Sequence, residues 1–212
     1  MPTRIARAVT RPRKTPTQPR SERTVETIVE AAARILETRG LAGFNTNAVA
    51  ERAGVSVGSL YQYFPNKDSL VAALSARERA LLGTEVATAA RQSAALSLPA
   101  ALRRLARAAI RRRLARPDLA RVLDFEEQRL ALDEADRVVT SNIAGNVVLL
   151  LRTHRAALRV GDLQEAAFDV VAIARALIDG AAGRGKVDAA ALEIRVTRAA
   201  LGYLTGRANV GR

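Results

Sequence analysis

Hydrophobic and polar positions recur at helical spacing along almost the whole chain. Between 25 and 40, Val25, Ile28, Val29, Ala32, Ile35 and Leu36 share one face, and Glu26, Glu30 and Glu37 lie off it. That three-to-four-residue recurrence predicts an amphipathic helix. Gly40 predicts its end, and Gly43 keeps the connection loose. Two short helices follow, over about 46–53 and 57–64. Pro65 then begins a new element, with Asn66 placed to cap a helix over about 67–82. Past Gly83 the pattern stays helical. Pro99 fits a first turn, and Leu102, Leu105, Ala106, Ala109 and Ile110 make a stripe opposite Arg103, Arg104, Arg107 and Arg111. Further helices are predicted over about 117–130, 133–158, 163–182 and 188–204, with turns at Gly161 and at Gly183 to Gly185. No segment alternates with period two. The expectation is an all-α fold of about nine helices.

Composition narrows the chemistry. The chain has 212 residues, 49% of them hydrophobic, which is enough to bury a sizeable core. It has no cysteine and one histidine, His154, so thiolate metal sites and disulfides are excluded and imidazole chemistry has little to work with. No phosphate-cradling glycine loop or metal-ligand spacing occurs. Neighbouring acids such as Glu126-Glu127 and Asp133-Glu134 point different ways on a helix. No catalytic residue, cofactor or metal site is expected, and an enzyme is the weakest reading. Apolar runs such as 147–151 are far too short to span a bilayer, and no secretory segment opens the chain, so a cytoplasmic protein is expected.

Charge is unevenly placed. Of the net +13, residues 1–23 hold seven cations against Glu22 alone, and residues 24–80 balance. The segment to about residue 20 is rich in Pro, Thr and Arg and is expected to be disordered in isolation. A basic arm on a charge-balanced domain suits a polyanion, because each neutralised phosphate releases counterions. Arg11, Arg13 and Lys14 form its densest run. They fit either an arm entering a narrow minor groove or a non-specific phosphate tether. A solubilising tail is the plainer alternative. A transit peptide ranks last, because Pro2, Pro12, Pro16 and Pro19 break any amphipathic helix there.

The stretch from Asn45 to Phe64 carries the functional signal. Val49 and Ala50 face inward, and small Ala50 lets a second helix cross closely. Gly54 permits the left-handed backbone of a tight turn, Val55 buries between the helices, and Ser56 can cap the second one. Leu60 and Phe64 anchor that helix at i and i+4. Its other face keeps Val57, Gly58, Ser59, Tyr61, Gln62 and Tyr63, small or hydrogen-bonding groups suited to the major groove.

Residues 50–70, AERAGVSVGSLYQYFPNKDSL, with the helix before them, resemble the DNA-binding signature of the TetR family of regulators. The likeness covers about 24–75, with turn glycine, aromatic cluster and lysine in register. Asn45 stands where many relatives carry threonine. The resemblance implies that Thr46 donates to a phosphate and that Val57, Gly58 and Ser59 meet base edges. It implies that Tyr61 and Tyr63 reach phosphates, with Gln62 a candidate for adenine, and that Lys67 pairs with a phosphate at a helix start. After the basic arm over 1–20, expected to be disordered from its composition, it implies a helix-turn-helix domain over 21–68 and a C-terminal domain over 69–212 for dimerisation and effector binding.

For the C-terminal part the residues themselves say less. Phe168, Val170, Val171, Ile173, Leu177 and Ile178, then Leu192, Ile194, Val196, Leu201 and Leu204, put apolar groups on more than one face of the last two helices. A homodimer through a four-helix interface explains that, and so does a monomeric bundle. Asn142 and Asn146 interrupt an apolar pattern, with Phe125, Arg129 and Phe168 as further candidates for an effector pocket. Interhelical hydrogen bonds would satisfy the same polar groups. Taken together, a ligand-responsive repressor on double-stranded, pseudo-palindromic operator DNA is expected. A DNA-binding activator or nucleoid-type protein without an effector is the rival.

Overall fold

The computed structural model describes residues 19–130, 133–185 and 187–206, and the regular structure among them is entirely helical. Nine α-helices are present among the described residues. They are α1 (Pro19–Arg39), α2 (Thr46–Ala53), α3 (Val57–Tyr63), α4 (Lys67–Arg91), α5 (Leu98–Ala115), α6 (Pro117–Leu130), α7 (Asp133–Thr153), α8 (Leu163–Ala182) and α9 (Ala189–Thr205). The expected all-α class is what is found. No helix among the described residues is long and apolar enough to cross a membrane.

Three boundaries differ from the periodicity reading. Helix α1 starts at Pro19, inside the segment expected to be irregular, because proline is tolerated in a first turn. Helix α4 runs straight through Gly83 to Arg91. One interior glycine costs a helix only about 1 kcal/mol, and Val86, Ala89 and Ala90 continue the buried face beyond it. Helix α7 stops at Thr153 and a single 3-10 turn, Arg155–Ala157, follows. There the backbone N–H of Arg159 donates to the Leu204 carbonyl at 2.8 Å, which fixes the chain in a non-helical path.

The chain forms two compact units. The first takes the chain to Glu78 together with Asp118–Asp133, and the second is Arg79–Pro117 with Glu134–Arg212. The first unit's core gathers Ile28, Ile35 and Leu36 of α1, Val49 of α2, Leu60 and Phe64 around α3, and Leu70 and Leu74 of α4. Leu119 and Leu123 of α6 complete it. Each such side chain contributes roughly 1.5–3 kcal/mol by leaving water. In the second unit α9 packs on α5 and α8, and Leu102, Val147, Leu151, Val170, Ala200 and Leu204 lie in one cluster. Ile110, Ile178, Leu192 and Val196 form a smaller one. Glu193 of α9 receives Arg107 of α5 through two hydrogen bonds, of 2.8 and 2.9 Å. Those bonds, and the Arg107 and Arg103 charges, hold its carboxyl below the ordinary glutamate range.

Candidate nucleic-acid interface

Local chemistry fixes the two short helices of the first unit. Asn45, in extended backbone, caps α2 by accepting from the Ala48 N–H at 2.9 Å. Helix α2 ends at Gly54, which sits in the left-handed region at φ 67°, where a residue with a Cβ is strained. The Val55 N–H returns to the Ala50 carbonyl at 3.0 Å, closing the turn. Ser56 then caps α3, its Oγ accepting from the Ser59 N–H at 3.0 Å. Leu60 and Phe64 are fully buried, and they set which side of α3 turns outward.

That outward side is a single face. Val57 is 39% exposed and Tyr61 41%, and Gly58 and Gln62 beside them are exposed too. A Cβ added at Gly58 would meet nothing nearer than Ser56 Oγ at 3.8 Å, so packing among the described residues does not require glycine there. Ser59 and Tyr63 sit at the flanks and are half-buried. The Ser59 hydroxyl lies 2.8 Å from Ser56 Oγ, turned toward the cap, and Tyr63 packs on the core.

Thr46 and Tyr61 meet across the two helices, Oγ1 to OH, at 3.1 Å. Two hydroxyls in contact use one proton between them and keep the other for an outside acceptor. The pair is therefore equipped to donate to a phosphate oxygen. Lys67 opens α4 and is exposed. Before it, Asn66 Oδ1 accepts from the Ser69 N–H at 2.8 Å and Ser69 Oγ donates to the Asn66 carbonyl at 2.7 Å, which anchors that helix start. A cation beside a helix N-terminus gains nothing from the dipole itself, and an anion placed there would be favoured by both the Lys67 charge and the dipole. Arg11, Arg13 and Lys14 lie outside the described residues.

The candidates for an effector pocket divide between the units. Phe125 is 61% exposed on α6 in the first unit. Its neighbour Arg129 is committed to an ion triad, with Nε 3.0 Å and Nη2 2.6 Å from buried Glu126 and Nη2 also on Asp68. Those hydrogen bonds, Glu126 first, raise its pKa further above the ordinary arginine value. In the second unit Asn142 is exposed and Asn146 half-buried, with Asn146 Nδ2 donating to the Asn142 carbonyl at 2.9 Å. Neither is a fully buried polar group left without a partner. Both line an open depression of about 430 Å³ on α7 and the start of α8. Phe168 is exposed on α8. Sequence reasoning missed Glu126 and Asp68 as partners of Arg129. The i, i+3 spacing of Glu126 and Arg129 carried half of that signal.

Comparison with known proteins agrees with this geometry. The model for bacterial regulatory proteins of the tetR family matches residues 28–74. The tetracyclin repressor-like C-terminal domain matches residues 97–204, just over half of the chain. Two uncharacterised HTH-type transcriptional regulators of Mycobacterium tuberculosis are each 36% identical over 67 residues, covering 32% of this chain and 33% of the relative. The chain thus spans about a third of the length of those curated relatives. A structure described as a TetR-family transcriptional regulator from Mesorhizobium loti superposes with a TM-score of 0.72 at 20% identity, covering 87% of this chain and 96% of that one. The fatty acid degradation regulator FadR from Bacillus halodurans gives 0.71 at 21% identity, covering 91% and 100%. Both likenesses establish the fold. The matching family and these relatives are regulators rather than enzymes. The fold, the helix-turn-helix geometry and the family match over half its length agree: the chain belongs to the TetR family of bacterial regulatory proteins.

Proposed function

We propose that this chain is a DNA-binding transcriptional repressor, released from its operator by a small-molecule effector. The observation that carries the reading is the outer face of α3. Val57, Gly58, Tyr61 and Gln62 are exposed together, while Leu60 and Phe64 on the opposite side are fully buried. A helix so divided is held rigidly by its core and offers the other side to a groove. In this reading Val57 and Gly58 approach base edges, Gln62 pairs with an adenine, and Thr46, Tyr61, Tyr63 and Lys67 hold phosphates. Ser59 joins them when its hydroxyl leaves Ser56. The arm residues Arg11, Arg13 and Lys14 add affinity from a neighbouring minor groove.

The protein acts as a cytoplasmic homodimer. Its helix-turn-helix domain covers 21–68, and 69–212 serve dimerisation and effector binding. Exposed Ile194 on α9, at 52%, with Phe168 on α8, supports a self-complementary interface on those helices. A two-fold dimer presents its two α3 helices to major grooves one helical turn apart, about 34–36 Å. An effector lowers operator affinity by binding better to a dimer with the wrong spacing, and only by that difference in affinity.

Footprinting and band-shift on the DNA flanking its own gene test the reading. A protected pseudo-palindrome, lost on Tyr61→Ala, is the expected result. Equal binding to scrambled DNA, unaffected by Tyr61→Ala, would overturn it.

A further inference from the structure

An open groove of about 610 Å³ runs along the first unit between the start of α1 and the turn joining α2 to α3. Arg20, Arg23, Thr24 and Thr27 form one wall, and Ala53 and Val55 the other. Positions 20, 23, 24 and 27 share a face of α1, and Glu22 and Glu26 lie off it. Arg20 and Arg23 are both exposed, and neither forms an ion pair among the described residues. The two threonine hydroxyls are already used, donating to the Arg20 carbonyl at 2.9 Å and the Arg23 carbonyl at 2.8 Å. The two guanidinium groups are the side-chain donors left on this wall, and each carries a planar fork suited to a phosphodiester.

We infer that this groove is a second DNA-contacting surface, in which Arg20 and Arg23 bind backbone phosphates beside the tract read by α3. The inference rests on the proposed DNA-binding reading and extends it to residues outside the helix-turn-helix. Placement supports it at both ends. Val55 on the far wall is two residues from Val57, hence within about 7 Å of the face offered to the bases. The near wall begins one residue after Pro19, where the arm carrying Arg11, Arg13 and Lys14 joins α1. The groove therefore lies between the turn that leads into α3 and the start of α1. The two exposed cations on an open wall suit an anion rather than an apolar ligand.

The test uses the full chain and the duplex most enriched by it from a random-sequence pool, with a scrambled duplex of equal length alongside. Arg20→Gln with Arg23→Gln should lower the log–log salt slope by about 1.8 per protomer, the value for two lost phosphate contacts. The preference for enriched over scrambled duplex should not change, because phosphate contacts carry no sequence information. Arg20→Lys with Arg23→Lys should restore most of the slope. Arg91→Gln with Arg104→Gln, an equal loss of charge elsewhere, should leave it alone. A slope undiminished in the first variant, or lowered equally by the Arg91 and Arg104 changes, overturns the inference while the helix-turn-helix reading stands. If the parent enriches no duplex, both fall.

Discussion

Arg129 of α6 holds two acids at once, Glu126 three residues before it and Asp68 in the first turn of α4. Glu126 is only 4% exposed, and its carboxylate meets the Arg129 guanidinium. Arg129→Met should destabilise the protein by about 3 kcal/mol, the usual cost of stranding a buried carboxylate. Adding Glu126→Leu should recover much of the loss, because the stranded charge goes with it. Chemical denaturation of the single and double variants measures both. A double variant no more stable than Arg129→Met would show that the arginine matters for packing rather than charge.

Gly58 is exposed and open, and among the described residues nothing comes nearer than Ser56 Oγ, at 3.8 Å, to where a Cβ would lie. Gly58→Ala should keep or raise stability, by about 0.5–1 kcal/mol, and yet weaken operator binding. Thermal unfolding and band-shift on one preparation check the two signs. Undiminished binding would place Gly58 away from the DNA.

Thr46 and Tyr61 share a hydrogen bond between their hydroxyls. If they grip one phosphate jointly, Thr46→Val and Tyr61→Phe should each cost about tenfold in operator affinity or more, as lost hydrogen bonds to a charged group do. The double variant should lose less than the product of the two. Strict additivity in a double-mutant cycle would mean that they act on separate groups.

Glu193 gives a pH signature. Its native pKa lies below the ordinary 4.5 because of Arg107, so the folded state binds its proton less readily than the unfolded chain. The resulting stability is fully present above about pH 4.5 and is lost as pH falls through the depressed native value. Thermal midpoints of the parent and Glu193→Gln should differ at pH 7 and converge once the pH has fallen below the depressed native value. A gap that persists in acid would argue for packing at residue 193 instead.

The sequence was most legible where cause and effect lie within about five residues. The turn at Gly54, the caps at Ser56 and Asn66, and the anchors Leu60 and Phe64 follow from residue type and spacing alone. The outer face of α3 follows from those anchors. Gly83 misled because a single breaker competes with a continuing apolar face, and burial won. The contact of Thr46 with Tyr61 depends on how two helices cross, and that of Arg129 with Asp68 joins positions 61 apart in the chain. Neither spacing is periodic, so neither could be read from it. The asparagines of α7 looked buried because the pattern around them is apolar, but that helix keeps a solvated face at 142 and 149.

Completion of the first core by Leu119 and Leu123 has a consequence for modular exchange. The folded body that carries α3 is drawn from two separate stretches, with the whole of α5 between them in the chain. No single cut releases it intact. A chimaera that grafts the first 78 residues onto another regulator's sensor would import a core missing two leucines, and would depend on the recipient's own sixth helix to fill the gap. Swapping specificities among such proteins therefore requires two-segment transplants, with α6 travelling alongside the DNA-reading helices it supports.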